Sequence, residues 1–194
     1  PAARHNAMAD YLRTRMFEPL GLHSMTAEYD AAGTLIGSSM IHATARDWAT
    51  FGDFLRNGGS VKGAQIVPRD WIQFMKTPSP RNPGYGAHLW LNRPQVDGKQ
   101  VLFPGRARRD VFACVGHLGQ YVVVSPEQRL VVVRLGKSDE EQRLRVLAGL
   151  ARLVLHLPRL LAVRLRRPQR QRLHQLLRDG GGRRRRRVRR RHAR

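Results

Sequence analysis

The stretch that decides the fold is VFACVGHLGQYVVVSPEQRLVVVRL, residues 111 to 135. Three β-branched runs lie in it: Val111 to Val115, Tyr121 to Val124 and Leu130 to Leu135. Branched side chains lose little freedom on a pleated surface, so each run reads as a strand. Gly116, His117, Leu118 and Gly119 separate the first two runs, and Ser125 to Arg129 the last two, with Pro126 suited to an early turn position. Links this short join antiparallel neighbours, and runs this apolar belong near the centre of a sheet.

Upstream, Tyr85 to Asn92 and Val101 to Phe103 read as further short strands, separated by the turn signal Asp97-Gly98. Earlier still the period changes to that of helices. Met8, Tyr11, Leu12 and Met16 recur at three- and four-residue steps over residues 2 to 17, and Pro19 and Gly21 end that segment. Thr44, followed three residues later by Asp47, opens a second helix whose buried stripe is Trp48, Phe51, Phe54 and Leu55, and Asn57-Gly58-Gly59 closes it. A short helix over 68 to 76 starts at Pro68 and turns Trp71, Ile72 and Met75 inward. Downstream, Asp139 caps a helix that carries Leu144, Leu147, Leu150, Ala151 and Val154 on one side as far as residue 157. The expected class is α+β, an antiparallel sheet packed with helices.

Charge divides the chain differently. Of its 194 residues, 1 to 142 hold 17 Lys+Arg against 13 Asp+Glu, whereas 143 to 194 hold 19 Arg against Asp179 alone. Two parts are therefore expected: a folded domain over 1–157 and an Arg-rich tail over 158–194 that stays disordered because its charges repel and it buries little. Two readings of the tail stand side by side. It holds phosphates nonspecifically, as nucleic-acid contacts that salt weakens, or it is a shifted-frame or read-through product of GC-rich DNA. The single Cys114 forms no internal disulfide, the eight histidines show no ligand spacing, and no metal or cofactor is expected. No apolar run is long enough for a spanning helix, and no feature assigns a compartment. The start at Pro1, within a helical pattern, leads us to expect part of a longer protein.

Five segments, taken in order, resemble one family. They are Tyr-Leu-x-x-x-x-Phe-x-Pro-Leu-Gly-Leu (Tyr11 to Leu22), Ala-Thr-Ala-Arg-Asp-Trp-Ala-Thr-Phe-Gly (Ala43 to Gly52), Asn57-Gly58-Gly59, Tyr85-Gly86 before Leu89-Trp90, and Gly116-His117-Leu118-Gly119-Gln120-Tyr121. The set is similar to the serine β-lactamase, penicillin-binding protein and esterase superfamily, within it the branch of 6-aminohexanoate-dimer hydrolases. The resemblance implies a mixed layer arrangement, with an antiparallel sheet against its terminal helices and an all-helical part across a cleft. It also implies a Ser in Ser-x-x-Lys as nucleophile, with that Lys and the Tyr of Tyr-x-Asn sharing the proton transfers. Ser and Lys three apart share one helix face, as a weak alcohol nucleophile requires.

Neither motif is in this sequence. Lys62, Lys76, Lys99 and Lys137 are preceded at minus three by Gly59, Gln73, Val96 and Arg134, and Tyr11, Tyr29, Tyr85 and Tyr121 are followed at plus two by Arg13, Ala31, Ala87 and Val123. Lys-Thr-Gly is absent as well, which favours the esterase and amide-hydrolase branches. The family's cleft-edge strand falls at Val111-Phe112-Ala113, and the backbone oxyanion donor that the resemblance implies falls near Cys114. Gly116, His117, Gln120, Tyr85 and Ser39, with its neighbour Ser38, are the candidate contacts to a small ester or amide. Each also has a plainer reading: Cys114 as a small strand residue, Gly116 and His117 as turn residues, Ser38 and Ser39 as loop or capping residues, and Tyr85 as core. The enzyme is expected to be inactive as this chain alone.

Overall fold

The computed structural model describes residues 8–37, 39–98 and 101–156. The Arg-rich tail and Ser38 lie outside them. Helix α1 covers 8–20, α-helical at first, π-helical over Arg13–Phe17 and α-helical again over Glu18–Leu20. The remaining helices are α2 (Ala45–Arg56), α3 (Arg69–Met75) and α4 (Glu140–His156). Thr26–Ala27 (β1) pairs with Ile41–His42 (β2), and Ser60–Val61 (β3) with Ala64–Gln65 (β4), in two small hairpins. The main sheet is antiparallel in the order β5 (Trp90–Leu91), β6 (Phe112–Gly116), β7 (Gln120–Ser125), β8 (Leu130–Arg134). The α+β class and the three consecutive strands of the meander stand as expected.

Period-two alternation distributes the sheet between two cores. Val111, Ala113, Tyr121, Val123, Leu130 and Val132 face α4, where Leu147, Leu150, Ala151 and Val154 meet them. Phe112, Val122, Val124 and Val133 face the other way, onto Phe54 and Leu55 of α2, with Leu20, Leu22, Ile72, Leu89 and Leu91. Helices therefore cover both faces, which is why the strands read as almost unbroken apolar runs.

Local chemistry sets the helix ends. Thr44 Oγ1 accepts the Asp47 N–H at 3.3 Å, as the cap signal required, and the buried Asp47 carboxylate accepts both the N–H and the Oγ–H of Ser24 at 2.7 Å. This network ties the loop after α1 to the start of α2. Asp139 Oδ1 accepts the Gln142 N–H at 2.7 Å at the start of α4.

Several expectations need correction. Pro19 does not end α1 but lies at the start of its closing segment Glu18–Leu20, directly after the π-helical stretch, and Gly21 (φ 70°) makes the stop. Pro68 caps α3 from outside. Trp71 is 56% exposed and stacks with Phe74, because only Ile72 of that helix is fully buried. Leu144 is likewise 63% exposed, since α4 packs on the sheet core from Val146 onward. The strand expected over 85 to 92 shrinks to Trp90–Leu91 plus one bridge between Tyr85 and Trp90.

Residues 101 to 103 form no strand. Asn92, buried, takes the place of a ladder there. Its Oδ1 accepts the Phe103 N–H at 3.1 Å, and its Nδ2 donates to the carbonyls of Ala107 (3.0 Å) and Arg108 (2.9 Å). The loop is thereby fixed, and Leu102 and Phe103 enter the core.

Candidate functional site

Strand β6 outruns its neighbour. β5 pairs with it only at Trp90↔Ala113 and Leu91↔Phe112, whereas β7 accompanies it to Gly116↔Gln120. The β5-side edge of β6 is therefore left without a strand partner after Ala113. In an antiparallel ladder, successive residues direct their backbone groups to opposite sides. The Asn92 N–H donates to the Val111 carbonyl at 3.0 Å, while the Val111 N–H donates to the Arg108 carbonyl at 3.3 Å, so Ala113 and Val115 present N–H and C=O toward the β5 side, and Phe112, Cys114 and Gly116 toward β7. The Cys114 amide thus belongs to the β6–β7 ladder, opposite Val122, and the Val115 amide faces the open edge.

The turn at the end of β6 carries the other candidates. Gly116, His117 and Gln120 are exposed together on it. Leu118 (φ 54°) and Gly119 (φ 81°) adopt the left-handed conformation, and a Cβ on Gly119 would stand 3.4 Å from both Arg134 Nη1 and Ser138 Cβ. Every carbonyl of the turn is engaged. His117 O accepts from Gln120 Nε2 at 3.3 Å, Leu118 O from the Ser138 N–H at 2.8 Å, and Gly119 O from Arg134 Nη1. No N–H of His117, Leu118 or Gly119 donates to a partner among the described residues.

Tyr85 lies on the β5 side, half-buried, its ring edge-on to Trp90 with centroids 4.7 Å apart. Ser39 is exposed in the loop before β2. The Cys114 thiol packs toward the α2 core, where desolvation pushes its pKa up to about 12. Such a thiol holds its proton at neutral pH and is a poor nucleophile. Sequence reasoning passed over Lys76, whose Nζ lies 5.8 Å from the centroid of the Phe112 ring. No periodic signal marks that contact, because it depends on where the end of α3 meets β6.

Among the described residues, no helix is long and apolar enough to cross a membrane. The comparisons agree on the architecture. A Bacillus anthracis protein assigned as a 6-aminohexanoate-dimer hydrolase superposes with a TM-score of 0.57 at 21% identity, over 76% of this chain and 38% of its own. A beta-lactamase from Mycobacterium bovis superposes with a TM-score of 0.54 at 18% identity, over 75% of this chain and 54% of its own. At those identities the likeness is one of fold, and the chain spans about two fifths and about half the length of these two proteins. No curated protein matches the sequence significantly. Residues 2–156 match the sequence model of the Beta-lactamase family, and with helices on both faces of the antiparallel sheet the chain belongs to that serine hydrolase family.

Proposed function

We propose that this chain is the sheet-bearing C-terminal portion of a serine hydrolase that cleaves a small ester or amide. In this reading the nucleophilic Ser, with the Lys and Tyr that handle its proton, comes from residues outside the 194. Ser Oγ attacks the substrate carbonyl, the carbonyl π-electrons move onto oxygen, and collapse expels the alcohol or amine. Water then releases the acyl group.

The contribution of the present residues is electrostatic. The oxyanion needs fixed donors, each worth about 3 kcal/mol in comparable sites. The observation that carries the reading is the open β6 edge, where the Val115 amide faces away from the β6–β7 ladder beside a turn whose carbonyls are all turned to other partners. The donor expected near Cys114 then falls on Val115, with the His117 amide as its neighbour, while Gly116, Gln120 and Tyr85 border the acyl group.

The test is complementation. The purified chain is expected to release no p-nitrophenol from p-nitrophenyl butyrate above the buffer rate. The same chain joined to an N-terminal segment of the family carrying Ser-x-x-Lys and Tyr-x-Asn is expected to gain turnover that disappears when that Ser is changed to Ala. Turnover by the 194-residue chain alone, or a joined protein that folds and stays inactive, would overturn the reading.

A further inference from the structure

We infer that Arg134 is a positioning residue whose guanidinium fixes the β6–β7 turn with its carbonyls inward and its amides outward. The inference rests on the proposed function above in one respect: the turn matters because it borders the carbonyl-binding edge.

Arg134 ends β8, opposite Tyr121, and reaches across to the turn. Nη1 donates to the carbonyls of Gly119 and, at 3.0 Å, Gly136, while Nη2 donates to Ser138 Oγ at 2.5 Å. Ser138, buried, closes the clasp by donating its N–H to Leu118 O at 2.8 Å. The side chain forms no ion pair among the described residues, so its donors serve backbone and hydroxyl oxygens. A planar fork with fixed donor directions holds three acceptors at once, which a point charge on a flexible stem does not.

The turn itself needs such a brace. Leu118 is a branched residue at φ 54°, a conformation that costs about 1–2 kcal/mol for an L-residue and persists only where its surroundings impose it. Were the Gly119 carbonyl released, Leu118 could relax to negative φ and the amides of His117 and Leu118 would swing with it. Arg134 thus preorganises donors without touching the substrate.

Backbone ¹⁵N relaxation on the full chain tests this. Wild-type order parameters at residues 117 to 119 are expected near those of β7, at about 0.8 or above, and to fall below about 0.6 in Arg134→Met, with the rest of β6 and β7 unchanged. Arg134→Lys is expected to recover only part of the loss, and Val131→Ala, a comparably destabilising change elsewhere on β8, to leave the turn rigid. A turn that stays ordered in Arg134→Met, or that loosens equally in Val131→Ala, overturns the proposal. Should Arg134→Met fail to fold, Ser138→Ala, which removes the Nη2 acceptor alone, is expected to loosen Leu118 and Gly119 measurably, and an unchanged turn there counts against the idea. Because no substrate is involved, this outcome is independent of the complementation result.

Discussion

Gly52 of α2 lies so close to Val131 of β8 that a Cβ on it would stand 2.6 Å from Val131 Cγ1 and 2.9 Å from Val122 Cγ1. The helix therefore meets the sheet with its backbone. Gly52→Ala should destabilise the fold by about 1–3 kcal/mol from overpacking, even though alanine improves intrinsic helix propensity by about 1 kcal/mol. Urea unfolding checks the sign. The double variant Gly52→Ala/Val131→Ala is expected to lose less than the sum of the two single changes, since each relieves the other's misfit.

Asp47 links two segments rather than merely capping a helix. Its carboxylate accepts two bonds from Ser24 at 2.7 Å, and Asp47→Ala leaves that N–H without its acceptor and the hydroxyl with only Thr44 Oγ1, at 3.1 Å. A loss of about 1–3 kcal/mol is expected, with Asp47→Asn intermediate because its carbonyl oxygen keeps one acceptor. Thermal unfolding of the three proteins gives the order.

At Asn92 the polarity of the side chain decides. Its amide donates to two carbonyls, so Asn92→Asp sets a buried carboxylate against two acceptors, whereas Asn92→Leu only deletes the bonds. The aspartate variant is expected to be less stable than the leucine variant at neutral pH and to recover part of the difference on acidification, as the added carboxyl takes up a proton. Unfolding midpoints at pH 7 and pH 5 decide it.

Cys114 predicts an alkaline slope. Its thiol pKa is raised from 9.0 to about 12, so below pH 9 both folded and unfolded states keep the proton and no dependence arises. Between pH 9 and 12 the unfolded state ionises first and stability falls. Cys114→Ala should lack that component, seen as a wild-type minus variant stability difference that declines from pH 8 to 11. Iodoacetamide should label native Cys114 far more slowly at pH 8 than it labels the urea-unfolded chain.

Residues 158–194 we propose as a separable part. A chain ending at residue 157 is expected to keep its circular dichroism spectrum and unfolding midpoint, whereas the 194-residue chain is expected to be retained on phosphocellulose in a salt-sensitive way and the shortened chain not. Equal retention by both would locate any phosphate affinity in the domain.

The helices α2 and α4 and the strands β6 to β8 were legible in the sequence because their apolar periods and caps are local signals: Thr44 with Asp47, Asp139, and three valine-rich runs between turn residues. The exposure of Trp71 and Leu144 was not, since it depends on how far each helix overlaps the sheet. Residues 101 to 103 misled for a related reason: β-prone residues were buried by a side chain eleven positions earlier, Asn92 bonding Phe103, which leaves no periodic trace. At the candidate site the turn Gly116 to Gln120 could be found from its glycines. Which amide of β6 faces outward follows only from its register with β5, a relation between segments about twenty residues apart.

The two-core arrangement of β8 has a consequence for how this sequence can drift. Val131, Val132 and Val133 are the same residue pointing alternately to α2, α4 and α2, so nothing in their chemistry distinguishes front from back. The strand is a blank ruler, and its markings are on the helices. Gly52 admits the branched Val131 on one side, and on the other Gln128, in the turn before β8, donates its Nε2–H to the carbonyl of Val154 in α4. Exchanges among β-branched residues in the strand should accordingly accumulate freely over evolutionary time, while the glycine of α2 and the amide of the turn hold the reading frame of the whole sheet.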